Sequence, residues 1–263
     1  MMKRLLLFSC CLVFGLRVIP AASADTKPTF TVSFTMPADD RVPVIDVTFA
    51  TGYVGRFALD TETSHSIISD TTAAILRLKQ HPAVFDNGTP FLIGGKQPQM
   101  ADASGMKFGN SGDINLSLIV LMHENMPFKV DGIIGGSFFE MGSMFLDFGA
   151  KIATYWYHSS PSEAVRSSMG LAGAVAVPMK YDDNFHFSVH AKYRAKGSEN
   201  TSKDEEVIVS TGAYKSRVSM DAAKGLKLKP IEKGQKIETA SGALTYSEAL
   251  LDSVEIGSLS VNK

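Results

Sequence analysis

The chain has 263 residues and a nearly balanced charge, with 26 lysines and arginines, 27 aspartates and glutamates, and a formal net charge of −1. This length accommodates one large or two small domains. No basic stripe with interleaved aromatic residues occurs, so we expect no nucleic-acid partner. Both cysteines, Cys10 and Cys11, lie near the N-terminus, so the remaining sequence excludes a disulfide, a thiolate nucleophile and a cysteine metal site.

Residues 1–24 match the pattern of a secretory signal peptide. Lys3 and Arg4 give a positive start, residues 5–16 are apolar, and residues 22–24 form an Ala-Ser-Ala cleavage site. The apolar run is too short to cross a membrane. We therefore expect no integral membrane segment after cleavage, with an uncleaved N-terminal anchor as the alternative. The predicted location is the bacterial periplasm or the secreted fraction.

Short strands separated by glycine, asparagine and proline predict a mostly β protein, either a sandwich or a small barrel. Alternating apolar residues predict the first three strands over Phe30–Phe34, Val42–Phe49 and Val54–Leu59. The spacing of apolar residues then predicts a helix over Asp70–Leu78, with Asp70 as its N-cap.

The elements that follow in the first half are a glycine-rich turn, a long apolar strand, a short helix-like run and a closing hairpin. They are Gly94-Gly95, Ile114–Met122, Ser137–Met141 and the pair Met144–Phe148 with Ile152–Trp156.

A Ser-, Ala- and Gly-rich stretch divides the mature sequence. We predict a first lobe over residues 25–157, a linker over 158–174 and a second lobe over 175–263. No counterpart of residues 131–136 occurs before Lys263. We therefore expect the second lobe to be incomplete, either because it is naturally short or because the sequence belongs to a longer chain.

The two lobes share a sequence pattern. Apolar residues lead into Asp60-Thr61-Glu62 in the first lobe and, 150 residues later, into Ser210-Thr211-Gly212. An internal repeat predicts two related structural units. Only the first unit has a carboxylate at this turn. The same displacement relates Ser66 to Ser216, Ile68 to Val218, Ser69 to Ser219 and Leu78 to Leu228, although Ala74 and Lys224 differ in character.

The Asp60-Thr61-x-x-Ser64 motif, a following helix, a glycine-bearing hairpin and Asp131-Gly-Ile-Ile-Gly135 together resemble the retropepsin-like aspartic proteases. The closest resemblance is to bacterial exported members with two lobes in one chain. This resemblance implies a retropepsin-like acid-protease β-barrel in two tandem lobes. It implies an aspartic-type endopeptidase that hydrolyses peptides or proteins with water activated by a carboxylate, without metal or cofactor.

The same resemblance implies residue roles. Asp60 matches the catalytic aspartate, and Thr61 matches the threonine whose hydroxyl bonds across the lobe interface. The second-lobe equivalents are Ser210, Thr211 and Gly212. Behind the catalytic turn lies a supporting loop, matched by Ile133, Ile134 and Gly135, and the flap over the cleft is matched by Gly94 and Gly95.

Two residues depart from the family pattern. Glu62 replaces the glycine after Asp-Thr, and Ser210 replaces the partner aspartate. The family uses two aspartates that share one proton, and a serine cannot share a proton with Asp60 in this way. Three arrangements remain open: a homodimer that joins two copies of Asp60, a catalytically impaired peptide-binding or envelope scaffold, and an Asp60–Glu62 pair.

Less specific interpretations also remain. Asp60 could cap a turn, and a structural envelope β-sandwich would need no site at all.

Ser210 lacks a Gly-x-Ser-x-Gly context and an assigned histidine partner, so the sequence does not favour it as a nucleophile. The histidines show no metal-ligand spacing and are predicted to lie on the surface or in loops. They are His65, His81, His123, His158, His186 and His190.

Overall fold

The computed structural model describes residues 12–13, 27–38, 42–84, 88–93, 95–171, 174–195, 204–213, 216, 218–231, 234–239 and 242–262. Within these ranges the chain is mostly β, which confirms the predicted class. The predicted signal peptide lies outside the described residues except for Leu12–Val13. None of the helices in the described ranges combines the length and apolar character needed to cross a membrane.

Strands dominate the described residues from 12 to 157, which include the predicted first lobe and one short strand from the predicted signal peptide. In chain order they are β1 Leu12–Val13, β2 Phe30–Thr35, β3 Val44–Thr48, β4 Val54–Leu59, β5 Ile67–Ser69, β6 Gln80–Pro82, β7 Gln99–Phe108, β8 Ile114–Leu121, β9 Gly132–Ile134, β10 Gly142–Asp147 and β11 Ile152–Tyr157. Three short helical segments join them: α1 Asp70–Ile75, a 3₁₀ turn at His123–Asn125, and α2 Gly136–Phe139.

Six of these strands close into a barrel. The hydrogen-bonded order is β3, β4, β9, β5, β8 and β7, and β7 pairs back to β3. Strands β2, β11, β10 and β1 continue the sheet from β3. The parallel pairing of β4 with β9 sets Ala58 beside Ile133 and Leu59 beside Ile134. This register brings the segment after β9 next to the turn that follows β4.

The core of the first lobe is built from the side chains that point inward at alternate positions along its strands. Phe30, Phe57, Phe108 and Tyr155 are almost completely buried, and the ring of Tyr155 stacks on Phe138 with centroids 4.8 Å apart. The Tyr155 hydroxyl donates to the Phe138 carbonyl over 3.0 Å. Burial raises the pKa of Tyr155, so the phenol remains protonated and satisfies that carbonyl.

The helix that follows the Asp60 turn is shorter than predicted, and its N-cap is a different residue. Ser69 is the N-cap, because its hydroxyl accepts the Thr72 N–H over 3.1 Å. Asp70 occupies the first helical position, where its carboxylate accepts N–H groups from Thr71 and His123. These two hydrogen bonds lower the pKa of Asp70. The prediction of Asp70 as the N-cap was therefore wrong by one residue.

The part of the chain predicted to be a second lobe contains a smaller, separate sheet. Its strands are β12 Lys180–Tyr181, β13 Phe187–Ala195, β14 Glu205–Ile208, β15 Gln235–Thr239, β16 Gly242–Tyr246, β17 Leu251–Ile256 and β18 Leu259–Asn262, and its helix is α4 Met220–Gly225. Strands β12, β13, β17 and β18 lie side by side, β14 also pairs with β13, and β15 forms a separate hairpin with β16. A further helix, α3 Glu163–Ser168, occupies part of the predicted linker.

Helix α4 repeats the capping of α1 at the 150-residue displacement. The Ser219 hydroxyl accepts the Ala222 N–H over 3.1 Å, just as Ser69 caps α1. After each helix one residue adopts a left-handed conformation, Arg77 in the first lobe and Lys227 in the second, both at φ 52°. The sequence repeat therefore corresponds to a repeated local structure.

We expect removal of the two capping hydroxyls, Ser69 and Ser219, to lower the free energy of unfolding by different amounts. Ser69 is completely buried, and its hydroxyl also donates to the Thr72 hydroxyl over 2.8 Å. We expect Ser69→Ala to lower the free energy of unfolding by about 1–2 kcal/mol. The exposed cap Ser219 is the matched control, and Ser219→Ala should cost less because water can replace the lost acceptor. Denaturant unfolding measures both; a larger loss for Ser219→Ala would contradict the expectation.

Candidate functional site

The turns that carry Asp60 and Ser210 meet through four reciprocal hydrogen bonds. The Thr61 hydroxyl donates to the Val209 carbonyl over 2.6 Å and accepts the Thr211 N–H over 3.1 Å. The Thr211 hydroxyl donates to the Leu59 carbonyl over 2.7 Å and accepts the Thr61 N–H over 3.2 Å. Equivalent residues of the repeat therefore bond to each other symmetrically across the lobe interface.

The carboxylate of Asp60 is held by its own turn. One oxygen accepts the Glu62 N–H over 3.0 Å, and the other accepts the Thr63 hydroxyl over 2.7 Å. The Asp60 N–H donates to the Ile134 carbonyl over 3.0 Å. Asp60 retains only 7% of its accessible surface. The sequence did not assign Thr63, although its place three residues after Asp60 is suited to such a bond.

Gly212 lies directly against the Asp60 carboxylate. A Cβ atom at position 212 would sit 2.6 Å from Oδ1 and 2.7 Å from Oδ2 of Asp60. Only glycine allows the second-lobe backbone to approach the carboxylate this closely.

Ser210 occupies the position in the second lobe that corresponds to Asp60. Its hydroxyl oxygen is buried and has no hydrogen-bond partner within the described part of the chain. A buried hydroxyl without a partner carries an energetic cost. The structure brings no histidine into hydrogen-bond contact with Ser210 in the described ranges, so the interpretation of Ser210 as an activated nucleophile gains no support.

The segment after β9 packs closely behind the Asp60 turn. Ile133 and Ile134 are fully buried, and the Gly135 N–H donates to the Ser66 hydroxyl over 3.1 Å. A Cβ at Gly135 would approach the carbonyl oxygens of Thr63 and His65 to 2.5 Å. A side chain at position 135 would clash with these carbonyl groups, so the position requires glycine. An ordinary surface turn would have room for a side chain there.

Of the two residues predicted to form a flap, Gly94 lies outside the described residues. Gly95 has φ 78° in a tight turn between Ile93 and Lys96. The side chain of Phe91, close to this turn, contacts the His65 ring with centroids 4.9 Å apart. The hairpin that contains Gly95 therefore reaches the edge of the Asp60 turn.

The loop between β12 and β13 contributes residues that the sequence analysis did not assign. The His186 ring contacts the Ser64 hydroxyl through Nε2 and the Asp182 carboxylate through Nδ1, each over 3.3 Å. The His65 ring packs edge-on against Phe185 at 4.9 Å. Burial lowers the pKa of His65, so this ring is neutral at pH 7.

His65 and His186 lie in loops, as predicted, but both also make contacts that the sequence did not indicate. Both lie at the lobe interface, and this contact joins segments more than a hundred residues apart. The only local signal is Asp182 four residues before His186, since aspartate often accepts main-chain N–H groups in a tight loop. No group of three or more His, Cys, Asp or Glu side chains suited to a metal ion occurs among the described residues.

No protein-family model and no curated protein matches the chain. Similar solved structures include conglutin gamma, a basic 7S globulin from lupine seeds, at 11% identity and a TM-score of 0.37 over 64% of this chain. Basic 7S globulin from soybean is similar at 12% identity and a TM-score of 0.30 over 52% of this chain. The match spans 61% and 43% of those proteins, respectively. At these values neither similarity assigns a function.

The close contact of Gly212 with Asp60 predicts the effect of a single methyl group. We expect Gly212→Ala to lower the free energy of unfolding by about 1–3 kcal/mol, because the turns must move apart and strain the threonine bonds. Gly225→Ala is the matched control, since a Cβ there meets no atom within 4 Å. Denaturant unfolding of both variants measures the difference; equal stability of the two variants would contradict the predicted contact.

Proposed function

We propose that this chain is an exported aspartic-type endopeptidase of the retropepsin-like class, with Asp60 as the residue that activates water. The observation that carries the proposal is the position of the Asp60 carboxylate, held at the junction of two symmetrically bonded turns. A carboxylate in this position can accept a proton from water as the oxygen attacks a peptide carbonyl.

The substrate in this proposal is an extended peptide. Such a peptide would add to exposed strand edges beside the cleft by main-chain hydrogen bonds. The proposed flap residue Gly95 follows Phe91 by four positions, and the Phe91 ring contacts His65 in the segment after Asp60. The site is proposed to work with protein groups alone, without metal or cofactor.

The chemistry of the second acid is the main constraint on this proposal. In the proposed mechanism a second carboxylic acid would donate a hydrogen bond to the scissile carbonyl and polarise it. Within one chain Ser210 corresponds to that position, so only a neutral hydroxyl can donate this hydrogen bond. We therefore expect slow turnover from a single chain. Replacement of one general acid or base typically lowers a rate by about 10²–10⁴-fold.

A homodimer with two copies of Asp60 facing each other is a further form of the proposal. It requires the second lobe to move, because the Thr61 hydroxyl and N–H already bond to the second lobe of the same chain. The symmetric dimer would replace these bonds with the same bonds to a partner chain.

The second candidate function is peptide or envelope-partner binding without turnover. The unpartnered hydroxyl of Ser210 favours it, because the position lacks the acid that hydrolysis needs. In this case the cleft binds an extended peptide and Asp60 serves as a hydrogen-bond acceptor.

Cleavage of a diverse peptide pool tests the first proposal. The mature protein from Asp25 onward is incubated with the pool from acid to neutral pH, and the products are identified by mass spectrometry. We expect the parent protein to cleave peptides from the pool. The Asp60→Asn variant should cleave them at a rate lower by about 10²-fold or more, since the amide cannot act as a base. Lack of cleavage by a folded sample at every pH would reject the peptidase and leave the binding function.

A paired substitution distinguishes a single-chain site from a dimer. Gly212 packs on Asp60. In the repeat Glu62 corresponds to Gly212 and Ser210 to Asp60, so we infer from this symmetry that Glu62 lies opposite Ser210. We therefore expect Ser210→Asp with Glu62→Gly to raise kcat by about 10²-fold or more in a single-chain site. Ser210→Asp alone should gain less, because the Glu62 side chain crowds the new acid. In a homodimer the pair should change little, whereas dilution should abolish cleavage.

A further inference from the structure

A serine, a histidine and an aspartate form a hydrogen-bonded chain across the lobe interface, next to the Asp60 turn. The Ser64 hydroxyl lies 3.3 Å from His186 Nε2, and His186 Nδ1 lies 3.3 Å from an Asp182 oxygen. Ser64 belongs to the first lobe and the other two to the loop between β12 and β13. The three residues are brought together only by the packing of the lobes.

The aspartate fixes which nitrogen of the histidine carries the proton. Hydrogen bonds from the His186 and Asn184 N–H groups, each 2.9 Å long, lower the pKa of Asp182. An ionised carboxylate only accepts hydrogen bonds, so the bond to Asp182 places the imidazole proton on Nδ1. Nε2 then has a free lone pair for the proton of the Ser64 hydroxyl.

The main chain holds the serine and the histidine in fixed positions. The Ser64 carbonyl accepts the Ser137 N–H over 2.8 Å. In the facing loop, Phe185 has φ 64°, which is costly for a bulky residue and is often found at functional sites. The Phe185 carbonyl leaves no room for a Cβ atom at Gly136, so the loop rests directly on the first lobe.

The arrangement leaves access for a small reagent. Ser64 is half-buried, and the His186 side chain keeps 23% of its accessible surface. The ring of His65, the residue after Ser64, contacts the rings of Phe91 and Phe185, and Phe185 precedes His186 in the chain. Since His65 is neutral, this cluster favours an apolar or aromatic substituent on the reacting molecule.

We propose that Ser64 is a nucleophilic serine activated by His186 and Asp182, and that it accepts acyl groups from esters with an apolar or aromatic substituent. This activity is separate from the proposed peptidase, because Asp60 takes no part in it. A nucleophile, a base within hydrogen-bond reach and a third group that orients the base are the parts that such chemistry needs.

The reaction proceeds in two balanced steps. Ser64 Oγ bonds to the ester carbonyl carbon while its proton passes to His186 Nε2, and the C–O bond to the alcohol then breaks as the alcohol oxygen takes that proton. Water next bonds to the carbonyl carbon of the acyl-serine while His186 accepts its proton. The bond from that carbon to Ser64 Oγ then breaks, His186 returns the proton to Ser64 Oγ, and the carboxylic acid leaves. Asp182 stays ionised and stabilises the imidazolium formed in each step.

Covalent labelling with an alkyl fluorophosphonate tests the proposal on the whole chain. The bond from Ser64 Oγ to phosphorus forms, the P–F bond breaks, and the serine proton leaves with fluoride through His186. We expect a single adduct, located on Ser64 by peptide mapping and absent from Ser64→Ala. Ser137→Ala, which removes a neighbouring half-buried hydroxyl, is the matched control and should label at the rate of the parent protein.

Two further variants separate activation from a structural contact between the lobes. His186→Gln should slow labelling about 10²-fold or more. In Asp182→Asn the amide can still form a hydrogen bond with the ring, but it favours the other tautomer of His186, so we expect a similar decrease in the labelling rate. If the contact were purely structural, this substitution would leave the labelling rate unchanged. The adduct on Ser64 is detected without any peptide cleavage, which keeps this result independent of peptidase activity. Circular dichroism verifies that each variant is folded. Absence of a Ser64 adduct, or unchanged rates in both His186→Gln and Asp182→Asn, would overturn the proposal.

Discussion

The reciprocal bonding of Thr61 and Thr211 is the interaction on which the rest of the site depends. Each threonine satisfies one N–H and one carbonyl of the opposite turn. These groups are partly buried, so leaving one unpaired would cost about 1–3 kcal/mol. The bonds therefore fix the separation of the two turns, and with it the place of Asp60 and Ser210.

The close approach of the two turns also accounts for the residues around the carboxylate. Gly212 is required because any side chain would meet Asp60. In the repeat Glu62 corresponds to Gly212 and Ser210 to Asp60. From this symmetry we infer that the smaller Ser210 leaves room for the Glu62 side chain, so that the two departures from the aspartic-protease pattern are compatible with each other. A site of this shape retains one acid, which is why the proposed peptidase activity depends on what else reaches Asp60.

The lobe interface brings a second set of reactive groups near the same turn. Thr63 bonds to the Asp60 carboxylate, while the next residue, Ser64, faces His186 of the second lobe. The loop that presents His186 is held by Asp182, which accepts two of its main-chain N–H groups. One rigid turn thus directs successive side chains to two different partners, and the two proposed activities can be separated by substitution.

The sequence by itself determined the mostly β class, the bounds of several strands to within two residues, and the 150-residue repeat, because strand alternation and turn residues act locally. The repeat aligned Asp60 with Ser210 and Thr61 with Thr211, and the family resemblance singled out Asp60 and Thr61. The tertiary structure decided which turns meet, why Gly212 and Gly135 cannot carry a side chain, and that His186 faces Ser64. The Gly135 contacts join residues about 70 positions apart within the first lobe, and the other contacts join residues more than a hundred positions apart and depend on the packing of the two lobes. Local propensity carries no signal for either.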